Sequence, residues 1–172
     1  MAFNITAQNS CKIVTVKAKS YVGTGGTTGD IKITDLDTGV TTTHPIAFAS
    51  SGIVSVVNIA STDLPAENGA FRVCLWESGV EQVCKPLLLH CDIDCCLVKL
   101  TNEIIDCACD CVRCSSALAK AQKIFLLLHS ANSSVALAST AQGSTNAGYY
   151  QDIVNKYLKA KEICDNSCGC NC

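Results

Sequence analysis

The apolar positions of the chain follow two periods, and the period changes near residue 90. From Lys12 to Val22, Val14, Val16 and Ala18 fall on one face and Lys17 and Lys19 on the other, the pattern of a half-buried strand. Asp30 to Leu36 alternates in the same way, and Asp37-Thr-Gly39 is a turn signal. Val40 to Ala49 predicts a further strand, which Pro45 confines to an edge or a bulge. Gly52 to Ala60, with its run of valines and isoleucines, is the most strand-like stretch of the chain. Ala70 to Trp76 and Glu81 to Leu89 flank Glu77-Ser-Gly-Val80 in a hairpin pattern. With Ser78-Gly79-Val80 as the loop, Glu77 pairs with Glu81 and Cys74 with Cys84, which makes the two cysteines cross-strand neighbours. They are then either a disulfide or two small buried thiols, and the strong tendency of free cysteine to be buried favours the thiols. Residues 1–90 are therefore expected to form an antiparallel β domain, a sandwich or a barrel.

Beyond residue 90 the spacing becomes helical, and residues 91–172 are expected to form a cysteine-rich three-helix domain. Ile93, Leu97, Leu100 and Ile104 recur at three and four residues, and the stripe continues to Cys107 and Cys111. A second helix is expected after it, capped by Ser115 or Ser116, with Leu118, Ala121, Ile124, Phe125 and Leu128 inward. Ala138 to Gly148 reads as a loop. A third helix is expected from Tyr149 to Cys164, with Tyr150, Ile153, Val154, Tyr157 and Leu158 inward. Asn166 to Cys172 is too rich in Gly, Asn and Cys to continue it. The overall expectation is an α+β chain with a packed junction, because Leu87-Leu-Leu-His-Cys91 is apolar and unlike a linker.

Composition narrows the function. The net charge of -2 and an aromatic content of 5% give no footing for nucleic acid or for an anionic membrane surface. No stretch approaches the ~18 apolar residues of a membrane span. The fourteen cysteines of 172 residues are near the level of a disulfide scaffold. The first residues show neither a basic nor an apolar leader segment, so synthesis in a cytosol is expected, where thiols stay reduced and clustered cysteines bind metal more often. Later exposure to oxidant, as for a virus particle after lysis of its host, reconciles the two.

Eight cysteines fall in two clusters: Cys107, Cys109, Cys111 and Cys114, then Cys164, Cys168, Cys170 and Cys172. In an up-down-up helical unit both clusters reach the same end. Eight thiolates in Cys-x-Cys and Cys-x-x-Cys spacings would hold two tetrahedral zinc ions, or an iron–sulfur cluster with thiols left over. Four disulfides satisfy the same arithmetic, and these would run between clusters, since a direct Cys-x-Cys bridge is strained. Zinc at these eight residues is the expected cofactor, with disulfides as the alternative. Cys111-Val-Arg-Cys114 has the spacing of a redox motif but lacks the βαβ context. His90, Cys91, Cys95 and Cys96 offer a His/Cys metal set, for which packing at the junction is the preferred explanation. Gly23 to Gly29 lacks the lysine of a phosphate-binding loop, and no catalytic motif is present, so no catalytic residue is assigned.

The leader Met-Ala-Phe-Asn-Ile-Thr, the strand-rich first half and the cysteine-rich helical tail resemble small virion proteins of tailed bacteriophages. In the tail the markers are Cys91-Asp-Ile-Asp-Cys95-Cys96-Leu-Val-Lys-Leu100 and Lys156-Tyr-Leu-Lys-Ala-Lys-Glu-Ile-Cys164. The resemblance implies a non-enzymatic neck, tail or adaptor component, a homo-oligomer in contact with other virion proteins, made in the host cytoplasm and located in the virion. It supplies no catalytic residue.

Overall fold

The computed structural model describes residues 3–8, 12–21, 28–48, 53–106, 111–140 and 144–168. Among these residues seven strands are followed by three α-helices: β1 (Phe3–Gln8), β2 (Ile13–Ala18), β3 (Thr28–Asp35), β4 (Thr41–Ala47), β5 (Ser55–Ala60), β6 (Gly69–Glu77), β7 (Val80–Leu89), α1 (Cys91–Asp106), α2 (Cys111–Ala138) and α3 (Ser144–Cys168). The chain is α+β. All strand pairs are antiparallel, in two sheets ordered β1-β2-β5 and β4-β3-β6-β7. Among the described residues the two sheets do not close on one another, so the β half is a sandwich and not a barrel.

Alternation places one face of each sheet in a shared core. Phe3, Val14, Val16, Ala18 and Ile59 come from the three-stranded sheet, and Ile31, Ile33, Phe71, Val73 and Leu75 from the four-stranded one. Pro45 sits on β4, an edge strand, where a missing N–H costs no ladder bond. β1 has no counterpart among the expected strands, although Phe3 and Ile5 alternate with Asn4 and Thr6. It pairs along β2, with Phe3 opposite Ala18 and buried.

The β6–β7 turn differs from the expected three-residue loop. Ser78 and Gly79 have φ of 52° and 75°, the two left-handed positions of a two-residue hairpin turn. Glu77 pairs with Val80 and Trp76 with Glu81. The register then shifts between Leu75 and Trp76, which places Val83 opposite Leu75 and leaves Gln82 as the extra residue of a bulge. Cys74 stands opposite Cys84, as expected, but the two form a disulfide and not a pair of buried thiols. Their Cα atoms are 4.1 Å apart, the close approach of a non-hydrogen-bonded antiparallel pair.

The helices differ from expectation mainly at their ends. α2 begins at Cys111, ahead of Ser115, and runs to Ala138; α3 begins at Ser144, so the intervening segment is shorter than 138–148. α3 continues past Cys164 to Cys168, and its last turn is supported by Ser167 Oγ donating to the Ile163 carbonyl. Ile93, Leu100, Ile124, Leu128 and Tyr157 form the helical core with Cys96 and Cys164. Leu118, Phe125 and Leu158, expected inward, are exposed. At the junction, Ala70 and Leu88 on the outer face of the four-stranded sheet pack against Ile153, Val154 and Ala138.

Candidate functional site

The outer face of the four-stranded sheet carries a compact group of functional side chains on β3, β6 and β7. The bulge at Gln82 puts Glu81 and Cys84 on the same face, although residues three apart on a regular strand point to opposite faces. Cys74 Sγ, Cys84 Sγ and a Glu81 carboxylate oxygen all lie within 4.8 Å of one another. This group can hold a metal ion once the sulfurs are reduced; in the structure they are joined as a disulfide. Arg72 donates to Glu81 Oε1 at 2.7 Å, and Lys32, opposite Cys74 in register, places Nζ 3.7 Å from the centre of the Trp76 ring. Two cations and one carboxylate thus share this face of the sheet with the two cysteines. Glu81 escapes a sequence reading because the bulge leaves no signal in the hydrophobic pattern; a strict three-residue loop puts it opposite Glu77.

Cys91, Cys95 and Cys114 are also disulfide-bonded. Cys114, one of the eight expected zinc ligands, is thus engaged in the alternative chemistry raised for those residues. Cys164, another of the eight, and Cys96 are buried thiols of the helical core. Cys107, Cys109, Cys170 and Cys172 lie outside the described residues, and Cys111 and Cys168 enter only as helix termini. The set at residues 90–96 is resolved by its local partners. His90 Nδ1 lies 3.1 Å from Asp94 Oδ1, Cys91 and Cys95 are in disulfides, and Cys96 is buried.

Two polar clamps hold α3 against its neighbours. Asp92 Oδ1 accepts the Ile93 N–H at the start of α1, while its Oδ2 accepts from Tyr157 Oη at 3.1 Å and Lys161 Nζ at 3.3 Å. Burial, reinforced by the Asp92 carboxylate, holds the Tyr157 phenol far above its ordinary range. Burial pulls the Lys161 ammonium down, but Asp92 and Asp165 outweigh it and its pKa is raised. Further along, Asp152 accepts from Lys156 and from Ser134 on α2. Those two hydrogen bonds, the lysine first, lower the Asp152 pKa from its ordinary 3.8. Ser134 is buried, gives its hydroxyl proton to Asp152 and accepts from Lys156 Nζ, which makes the Ser134–Asp152–Lys156 group a helix-to-helix clamp. The α1 N-terminus is capped from a distance: Asn68 Oδ1 accepts the backbone N–H groups of Cys91 and Asp92.

No helix is long and apolar enough to cross a membrane among the described residues. No protein-family model, no curated protein and no solved structure matches the chain.

Proposed function

We propose that the protein is a non-enzymatic structural component of a tailed-bacteriophage virion, an oligomeric neck, tail or adaptor protein made in the host cytoplasm. The observation that carries this reading is the engagement of Cys74, Cys84, Cys91, Cys95 and Cys114 in disulfides. Cystines persist in oxidising surroundings, which particles meet after release. They staple both halves of the chain, and the packed junction through Ala70, Leu88, Ile153 and Val154 ties the halves together. Stapled rigidity serves a part that bears mechanical and chemical stress; it is of little use to a thiol catalyst, which needs an accessible, activated sulfur. The layout of strands followed by a cysteine-rich helical tail agrees with the resemblance to phage virion proteins. The test is quantitative mass spectrometry of density-gradient-purified particles from the source culture. The proposal expects the chain at a fixed copy number per particle. Its absence from particles, with the chain abundant in the lysate, would overturn it.

The Cys74–Glu81–Cys84 group favours a second reading, a cytosolic metal-binding protein. Reduced by cellular thiols, the two sulfurs and the carboxylate would supply three zinc ligands and leave a fourth position to water. Zinc retained by reduced wild-type protein and lost from Glu81→Gln would support it; equal zinc content in the two would refute it.

A further inference from the structure

The Cys74–Cys84 disulfide and a metal site that includes Glu81 draw on the same two sulfur atoms, so each excludes the other. The order of side chains on the outer face of the four-stranded sheet fixes how one gives way to the other. Arg72 stands opposite Pro86, Cys74 opposite Cys84 and Trp76 opposite Glu81. The Arg72–Glu81 ion pair therefore joins the two strand pairs on either side of the disulfide. Its side chains are 39% and 36% exposed, and an ion pair so open to water is held only weakly. Glu81 is thus kept within reach of the sulfurs by a partner that it leaves readily. The two sulfurs are unequal. Cys74 is buried, whereas Cys84 is half-buried, so a thiol arriving from solvent meets Cys84 Sγ and expels Cys74 Sγ.

We propose that Cys74, Glu81 and Cys84 form a redox-gated site for a zinc-class ion. Oxidising surroundings close it as the disulfide. A cellular thiol reductant opens it, and Glu81 then leaves Arg72 for the metal. The proposal rests on the metal-binding reading above for the site itself and adds the condition under which the site is filled. That condition holds whether or not the chain enters a particle. Metal is taken up among reduced thiols, during synthesis, and the sulfurs become a staple once the surroundings oxidise.

The chemistry balances. A reductant thiolate bonds to Cys84 Sγ as the bond to Cys74 breaks, and Cys74 Sγ takes the electron pair. A second reductant thiolate displaces Cys84 from the mixed disulfide. In sum, one protein disulfide and two reductant thiols give two cysteine thiols and one reductant disulfide. The ion takes both sulfurs as thiolates, and two protons pass to solvent. Closing runs the other way: a small-molecule disulfide accepts the two electrons and the ion is released. The donor set selects the ion. Two sulfurs and a carboxylate suit zinc and its neighbours, whereas magnesium and calcium take oxygen ligands. A tetrahedral ion with bonds of about 2.3 Å to sulfur holds its two sulfurs roughly 3.8 Å apart. Rotation about the two Cα–Cβ bonds reaches that separation from Cα atoms 4.1 Å apart, with the strands left in register.

The test is a cobalt(II) titration of the full-length protein, read by the emission of Trp76. This is the chain's single tryptophan, on the same sheet face as Cys74, and a cobalt–thiolate centre beside it quenches it by energy transfer. A phosphine reductant is added in steps and then removed. Alkylation mapping finds the step at which the Cys74–Cys84 bond has opened, and circular dichroism verifies that the fold persists there. The proposal expects saturable quenching in the reduced wild type and none before reduction. Glu81→Gln should weaken cobalt binding at least ~10-fold, and Cys84→Ser should abolish the quenching. Arg72→Gln, which frees Glu81 in advance, should bind at least as tightly as wild type. Oxidised glutathione should restore both the emission and the Cys74–Cys84 bond. A bond that opens only as the protein unfolds would overturn the proposal, as would wild-type quenching in Cys84→Ser or weaker binding by Arg72→Gln. Absence of quenching in the reduced wild type removes the gate together with the metal-binding reading. Glu81-dependent quenching that survives oxidised glutathione removes the gate and leaves that reading in place.

Discussion

Replacing Cys74 and Cys84 together by alanine should lower the stability of the β-sandwich by about 2.7 kcal/mol. The sequence separation across the disulfide is 10, and the loop-closure entropy denied to the unfolded chain by a ring of that size amounts to roughly 9 cal/mol/K, or about 2.7 kcal/mol at room temperature. The folded hairpin keeps its other supports. Ser78 and Gly79 already form the two-residue turn, and Arg72 remains paired with Glu81 across the strands. The loss therefore falls on the unfolded ensemble and not on a missing native contact. Urea unfolding followed by fluorescence of Trp76, the chain's single tryptophan and a neighbour of Cys74 on the outer face of the sheet, reads the change where it occurs. With a slope of about 2 kcal/mol per M, the midpoint should fall by about 1.3 M with little change in slope. A midpoint within about 0.3 M of wild type would refute the loop-entropy argument. Wild-type protein under thiol reductant should fall at least as far, because Cys91, Cys95 and Cys114 lose their bonds as well.

Three further substitutions probe the helical half and its junction. Asn68→Ala removes the acceptor for two N–H groups at the start of α1 and should cost about 1 kcal/mol in urea unfolding; an unchanged midpoint would show that other groups cap the helix. Ile153→Ala empties a fully buried position between α3 and the sheet, and should cost ~2–5 kcal/mol by the same assay. Asp152→Asn should reveal a pH-dependent contribution. The folded-state pKa of Asp152 is lowered below the ordinary 3.8, so its stabilisation is fully present above that value and is lost as pH falls through the folded-state value. The stability gap between wild type and Asp152→Asn should narrow below about pH 4, and a gap that is constant from pH 7 to pH 3 would contradict the assignment.

The fold is legible where burial is one-sided and illegible where apolar residues fall on both sides. Strands with one face in the core alternate cleanly, as the buried Ile31 and Ile33 do against Asp30, Lys32 and Thr34. α2 defeats the same reasoning because apolar residues run along its covered and its open faces alike. Leu118 and Phe125 fit an inward stripe on spacing alone, yet Ala117, Ile124 and Leu128 occupy the core. The Cys74–Cys84 register agrees with expectation through two compensating differences. A turn one residue shorter than expected is balanced by one extra residue at the Gln82 bulge. Alternation does not report a bulge, so the expected pairing gives Glu81 the wrong partner and conceals its place beside the two sulfurs. The general preference of cysteine for burial points away from the disulfide, but Cys74 is buried and bonded at once. The cap on α1 comes from Asn68, separated from Cys91 by 23 positions, and no local motif announces it. The clusters at Cys107–Cys114 and Cys164–Cys172 stand out by spacing alone. Spacing serves zinc and cystine equally, and of these residues Cys114 is disulfide-bonded and Cys164 is a buried thiol.

The disulfide-stapled scaffold is tested most directly by the intact mass of protein isolated from its source without reductant, combined with alkylation mapping before and after reduction. The scaffold account predicts a deficit of about 2 Da for each disulfide, no metal-sized increment under native conditions, and alkylation of Cys74, Cys84, Cys91, Cys95 and Cys114 only after reduction. Alkylation of those five cysteines without reduction, accompanied by zinc-sized mass increments, would contradict it and turn the assignment to a metal–thiolate protein.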